Sequence, residues 1–194
     1  MRKGQLRRTT KETRVNVKVT LDGQGKASVS TGVGFFDHML ELFAHHGLFD
    51  LAVKCNGDLH VDDHHTVEDV ALALGGAFKN ALGKRSRITR FGSAHVPMDE
   101  ALARCVVDLG GRPSLVFNAT FKRAKVGDLS TEMVRHFFQS FADALRANIH
   151  IEVVYGVNTH HKIEAIFKAF ALAMCDACRI NKRVVGIPST KGSL

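Results

Sequence analysis

The sequence predicts an α+β fold in which a β-β-α-β-α unit occurs twice, each copy a sheet with its helices on one face. Three observations lead there. Segments of strand and helix character follow in the same order through residues 1–92 and 93–194. The run His64-His65-x-x-Glu68 returns ninety-six residues later as His160-His161-x-x-Glu164. The stretch His38-Met39-Leu40-Glu41-Leu42-Phe43-Ala44 aligns with His136-Phe137-Phe138-Gln139-Ser140-Phe141-Ala142, each at a similar distance ahead of its histidine pair. Self-similarity of this kind marks one duplicated unit. Two such halves most simply pack helix layer against helix layer.

Taken in order, residues 15–21 alternate apolar and polar and end at Asp22-Gly23, a strand closed by a turn. Residues 26–30 are expected to return as its hairpin partner. Residues 35–45 have helical spacing, with Phe36, Met39, Leu40 and Phe43 as the apolar stripe and Gly47 as the stop. Residues 48–55 form a strand ending at Asn56-Gly57. Asp62 or Asp63 caps a helix from His64 to Leu82, which Gly83 ends. Residues 83–103 link the halves. The second half repeats the order, with strands over 105–109 and 115–121, a helix over 131–147, a strand over 149–155 and a helix over 160–179. Residues 180–194 make a basic tail containing glycine and proline.

Composition narrows the function. Apolar residues are 45% and charged residues 24% of 194, enough for a packed core and against disorder. No apolar run reaches the ~20 residues of a membrane span. The basic start, residues 1–10, lacks the apolar segment of a secretory signal. Four scattered cysteines are not a disulfide framework, and the expected location is the cytoplasm. Cys175 and Cys178 stand in an apolar helical run and read as core packing. The net charge of +8 invites nucleic acid; against that stand one Tyr, no Trp and dispersed cations, and a small anionic substrate explains the basic residues equally well, so charge alone does not choose.

Eight residues at matching places in the repeat carry metal-ligand chemistry: His38, His64, His65, Glu68, His136, His160, His161 and Glu164. Neighbouring histidines on a helix diverge by about 100°, whereas i and i+4 share a face. Four ligands apiece would serve two metals, and imidazole with carboxylate suits manganese, iron, zinc or nickel. Solvated histidines at a helix start explain one such pair more simply than they explain two matched ones. His45 and His46, at a helix end, equally suit the helix dipole.

Together these stretches resemble the imidazoleglycerol-phosphate dehydratase family. The resemblance spans nearly the whole chain: Arg8-x-Thr10-x-Glu12-Thr13, Gly34-Phe35-Phe36-Asp37-His38-Met39-Leu40, Asp62-Asp63-His64-His65-x-x-Glu68-Asp69, Met98-Asp99-Glu100-Ala101, Gly111-Arg112-Pro113, Asn158-x-His160-His161-x-x-Glu164 and Ser189-Thr190-Lys191-Gly192. In Gly110-Gly111-Arg112 a glycine stands where the family pattern has serine. The resemblance implies the monofunctional form and two halves like the second domain of ribosomal protein S5, with two sheets flanking a four-helix layer. It implies a homo-oligomer of 24 copies built from trimers, with two Mn(2+) per active site at subunit interfaces. Carried over, one metal takes His38, His64, Glu68 and His161, and the other His65, His136, His160 and Glu164. Arg90, Arg112, Lys168, Ser189 and Lys191 match the phosphate-binding positions.

The implied reaction converts imidazole glycerol phosphate to imidazole acetol phosphate and water in histidine biosynthesis. The proton to be lost sits on a carbon with no adjacent carbonyl, so the imidazole ring must supply the electrons. Two metals on its nitrogens would favour the imidazolate. Glu12 and Glu164 are the acid/base candidates, with Asp99 and His46 beside them. A metal-storing shell without catalysis is the alternative; an RNA-binding module is a further rival.

Overall fold

The structure, a computed structural model, describes residues 1–194. The first half runs β1 (Lys3–Thr9), β2 (Thr13–Thr20), β3 (Ala27–Ser30), α1 (Gly34–Gly47), β4 (Asp50–Gly57) and α2 (His64–Leu82). The second runs β5 (Phe91–Met98), β6 (Ala101–Asp108), β7 (Ser114–Asn118), a short hairpin of β8 (Lys125–Val126) and β9 (Leu129–Ser130), α3 (Glu132–Leu145), β10 (Asn148–Tyr155) and α4 (Thr159–Cys178). Two four-stranded sheets result, ordered β1-β2-β4-β3 and β5-β6-β10-β7. The duplicated α+β architecture is therefore present, with one strand more in each four-stranded sheet than the sequence suggested and the β8–β9 hairpin besides.

The added strands are β1 and β5, at the sheet edges. Their inward faces carry glycine where apolar side chains would have announced a strand. A Cβ at Gly4 would strike the Ala77 carbonyl of α2, and one at Gly92 would strike the Ala173 carbonyl of α4. Close approach of helix to sheet replaces side-chain packing there. Pro97 is tolerated because β5 is an edge strand.

Two expected pairings are corrected. β2 makes its hairpin with β1, Val17 facing Leu6, while residues 27–30 lie parallel to β4. A parallel neighbour needs a crossover, and α1 provides it; β7, α3 and β10 do the same in the second half. The segment 83–103 is not merely a linker, since it holds β5 and the start of β6. The division at 92/93 falls inside β5.

α2 lies on β1 and β2, and α4 on β5 and β6. Between the sheets α2 packs against α3 and α1 against α4, so each helix pair joins the two halves. Phenylalanines fill the seam: Phe36 meets Phe137 at 5.5 Å between ring centroids, Phe43 stacks on Phe170 at 5.0 Å, and Phe78 meets Phe141 at 5.8 Å. All four cysteines are unpaired, and the buried apolar side chains form one continuous cluster. Gly47 ends α1 for a reason other than the one expected. Leu48 takes the left-handed conformation (φ 55°), and Gly47 makes room for the Phe49 ring. No helix is long and apolar enough to cross a membrane.

Candidate active site

Both histidine pairs open a helix. The Asp62 carboxylate accepts from the His64 N–H (2.8 Å), and the Asn158 side chain accepts from the His160 N–H (2.9 Å), so that α2 starts at His64 and α4 at Thr159, one residue ahead of its pair. Asp63 has another task. It accepts from the N–H (2.6 Å) and hydroxyl (2.8 Å) of Ser130, just before α3. That clamp fixes the α3 start beside the α2 start and so brings His136 to His64.

The result is a group of three donors. His64, Glu68 and His136 place ligand atoms within 4.8 Å of one another, and His136 Nε2 stands 3.2 Å from Glu68 Oε1. A looser counterpart, centred on Glu164, joins α4 to α1. Glu164 Oε2 lies 3.1 Å from His160 Nε2 and 4.0 Å from His38 Nε2, while Lys168 Nζ approaches Oε1 at 2.7 Å. Burial alone would raise the Glu164 carboxyl; Lys168 and His160 outweigh it and hold it below the ordinary carboxylate value. Burial, then the charge on Lys168, depresses His46, which shares this neighbourhood.

This sorting departs from the one the family pattern suggested. Within one chain His136 stands beside His64 and Glu68, and His38 beside His160 and Glu164, whereas the family pattern groups His38 with the first set and His136 with the second. The cause is the crossed helix pairing, α2 with α3 and α4 with α1.

The second histidine of each pair points elsewhere. The ring planes are 80° apart in His64–His65 and 83° apart in His160–His161. His65 Nδ1 is 3.0 Å from Asp58 Oδ2, and His161 Nδ1 is 2.6 Å from Glu100 Oε2. His161 and the N–H groups of Asn158 and Val157 hold the Glu100 carboxyl at about 2. Glu100 stands in the Met98-Asp99-Glu100-Ala101 motif but was given no role from the sequence, and Asp58 was not singled out; only its nearness to the first histidine pair could have flagged it.

Each hairpin turn also brings a carboxylate to this region. Asp99, in the β5–β6 turn, stands 3.7 Å from His161 Nε2. Glu12, in the β1–β2 turn, adds its charge to that of Asp58 in raising His65. That turn is anchored on α2, where Asp69 accepts from Thr13 and, at 2.6 Å, from Arg8. The Arg8-x-Thr10-x-Glu12-Thr13 motif thus holds Glu12 near the start of α2.

Of the five expected phosphate contacts, Arg90, Arg112, Ser189 and Lys191 line one cavity of about 470 Å³. Lys168 lies apart, on Glu164. Arg90 makes a forked pair with Asp108 (2.7 and 3.1 Å) and donates to the Pro188 carbonyl (2.9 Å), which seats the tail. Arg146, missed in the sequence, lines the same cavity.

A family model described as imidazoleglycerol-phosphate dehydratase matches residues 31–174. The chain belongs to the imidazoleglycerol-phosphate dehydratase family. It is 58% identical to the imidazoleglycerol-phosphate dehydratase of Chlorobium chlorochromatii over 98% of this chain and 96% of that protein. Against the enzyme of Acetivibrio thermocellus it is 54% identical, covering 100% of this chain and 99% of the other. The crystal structure of the Staphylococcus aureus dehydratase aligns with a TM-score of 0.84 at 40% identity, covering 92% of this chain and 99% of that one. The Pyrococcus furiosus structure aligns at 0.84 and 35%, covering 97% and 100%. The family read from the motifs is borne out along the full length. The chain is an enzyme of histidine biosynthesis, a hydro-lyase acting on a small molecule.

Proposed function

We propose that the chain dehydrates imidazole glycerol phosphate at a two-manganese site, each half of which lacks one ligand until another copy of the chain supplies it. The carrying observations are the three-donor group His64–Glu68–His136 and, at the matching place of the repeat, Glu164 with His160 and His38 beside it, His65 and His161 being left outside both. Imidazole and carboxylate donors without thiolate fit a divalent ion of the manganese type. His65 and His161 each have Nδ1 held by a carboxylate, which fixes the ring and leaves Nε2 as the ligand atom. Three donors in one chain and the outlying histidine of another make four, so the active unit is a homo-oligomer. A 24-copy shell built from trimers is the assembly this reading takes.

Bound manganese supplies Lewis acidity toward the ring nitrogens of the substrate. The rest is the work of side chains. Glu164, kept ionised by Lys168 and His160, takes a proton from the substrate. Glu12 returns one from the opposite hairpin, with Asp99 beside His161 and His46 beside Lys168 as further proton carriers. Arg112, Ser189 and Lys191 bind the phosphate, Arg90 holds the tail that carries Ser189 and Lys191, and Lys168 reaches the phosphate of a neighbouring site. A shell that only stores metal has no use for this anion cavity.

The test is formation of imidazole acetol phosphate by metal-stripped protein, manganese-restored protein and restored Glu164→Gln. The expected result is turnover in the restored wild type alone. Equal turnover after stripping, or a Glu164→Gln variant as fast as wild type, contradicts the reading.

A further inference from the structure

We propose that Arg146 is a further binding residue for the substrate phosphate, one that no motif in the chain marks. The inference rests on the reading of the 470 Å³ cavity as the phosphate site. Arg90 brings little free charge to that cavity, because Asp108 takes two of its nitrogens and Pro188 the third. The uncompensated charge belongs to Arg112, Arg146 and Lys191, none of which pairs with a carboxylate.

Arg146 is held at both ends of its aliphatic stem. Its backbone caps α3 in the left-handed conformation, φ 59°. Its Nε donates to the Gly111 carbonyl at 2.9 Å. Its own carbonyl accepts from Nη1 of Arg85 at 3.0 Å. Arg85 is buried and has no acidic partner; its other acceptors are the carbonyls of Leu145 (2.5 Å) and Leu109 (2.8 Å). One buried guanidinium therefore ties the end of α3 to the segment leading into Gly110-Gly111-Arg112. Arg146 and Arg112 are set on either side of that tie.

With Nε engaged, the two terminal nitrogens of Arg146 remain without a protein acceptor at the cavity wall. Two parallel N–H groups on a pre-set stem match a phosphate edge. A basic group here also offsets the negative end of the α3 dipole, which otherwise repels an anion. The first half has the same backbone turn at Leu48, φ 55°, so the left-handed conformation belongs to the repeat. Arginine there belongs to the half with the anion cavity.

The test uses full-length, manganese-restored protein in three variants, Arg146→Gly, Arg146→Lys and Arg112→Ala. Each is measured for kcat and KM with imidazole glycerol phosphate, inhibition by inorganic phosphate, and thermal midpoint. Glycine is at ease at φ 59°, so Arg146→Gly keeps the cap and the midpoint stays at or above wild type. Its KM and its phosphate inhibition constant rise by about tenfold or more, the weight of a charge-assisted hydrogen bond. Arg146→Lys, which keeps the charge and loses the fork, falls between. Wild-type KM and phosphate inhibition in Arg146→Gly overturn the proposal while Arg112→Ala remains impaired. A lowered midpoint and kcat with unchanged KM overturn it too, because Arg146 is then only a cap. If Arg112→Ala itself inhibits like wild type, the cavity is not the phosphate site and both readings fall.

Discussion

At the scale of residues, carboxylates in this molecule act mainly by holding something else in place. Asp69 secures the turn that carries Glu12, Asp63 sets α3 against α2, and Asp58 and Glu100 orient the outlying histidines. Asp50 is the simplest case for measurement. Its Oδ1 accepts from the N–H groups of Gln24 (2.9 Å) and Lys26 (3.2 Å), which keep its carboxyl below the usual value. The folded state thus favours the ionised form. Its contribution is complete above about pH 4, where the unfolded residue is also ionised, and is lost as pH falls through the lower folded value. In a series of denaturant titrations from pH 7 downward, Asp50→Asn is expected to start less stable and to lose less on acidification. A wild-type acid slope in that variant would show that the turn does not draw on the charge.

At the scale of elements, the two halves use one device twice: a glycine on an edge strand under an alanine-lined helix. Gly4 lies under Ala77 and Ala81 of α2, and Gly92 lies under Ala173 and Ala177 of α4. A methyl group at either position meets helix backbone, which cannot swing aside as a side chain does. Gly4→Ala and Gly92→Ala are each expected to cost about 1–3 kcal/mol, the range for overpacking, and by similar amounts. Urea denaturation checks this; a neutral Gly92→Ala would mean that α4 rides loosely on its sheet. The same device explains what was legible. Helices, central strands and the repeat could be read from apolar periodicity, because α1–α4 and β2, β4, β6 and β10 bury side chains. β1 and β5 could not, since each gives its closest helix contact to a glycine and leaves its other inward side chains, such as Leu6, Val96 and Met98, only half-buried. Among site residues, both histidine pairs and their glutamates stood out by spacing. The nearness of His136 to His64 and of His38 to Glu164 within one chain did not, because it depends on which helices cross. Arg146 looked like any basic residue at a helix end.

At the scale of the whole molecule, the crossed helix pairs explain why two half-sites arise from one duplicated chain. Each three-donor group is assembled from both halves, so neither half holds it alone. Each group is also one imidazole short of the four ligands per metal that the proposed two-manganese site takes. Under the proposed reading this deficit links chemistry to assembly: a chain that lends His65 and His161 outward would complete its sites only in company. For the proposed shell of closed symmetry, 24 copies of 21.3 kDa would give roughly 510 kDa. The most direct measurement is elemental analysis of manganese-restored protein as it elutes through light scattering. The account predicts two manganese ions per chain in a particle of that mass. A stable 21.3 kDa monomer that retains both ions would contradict it.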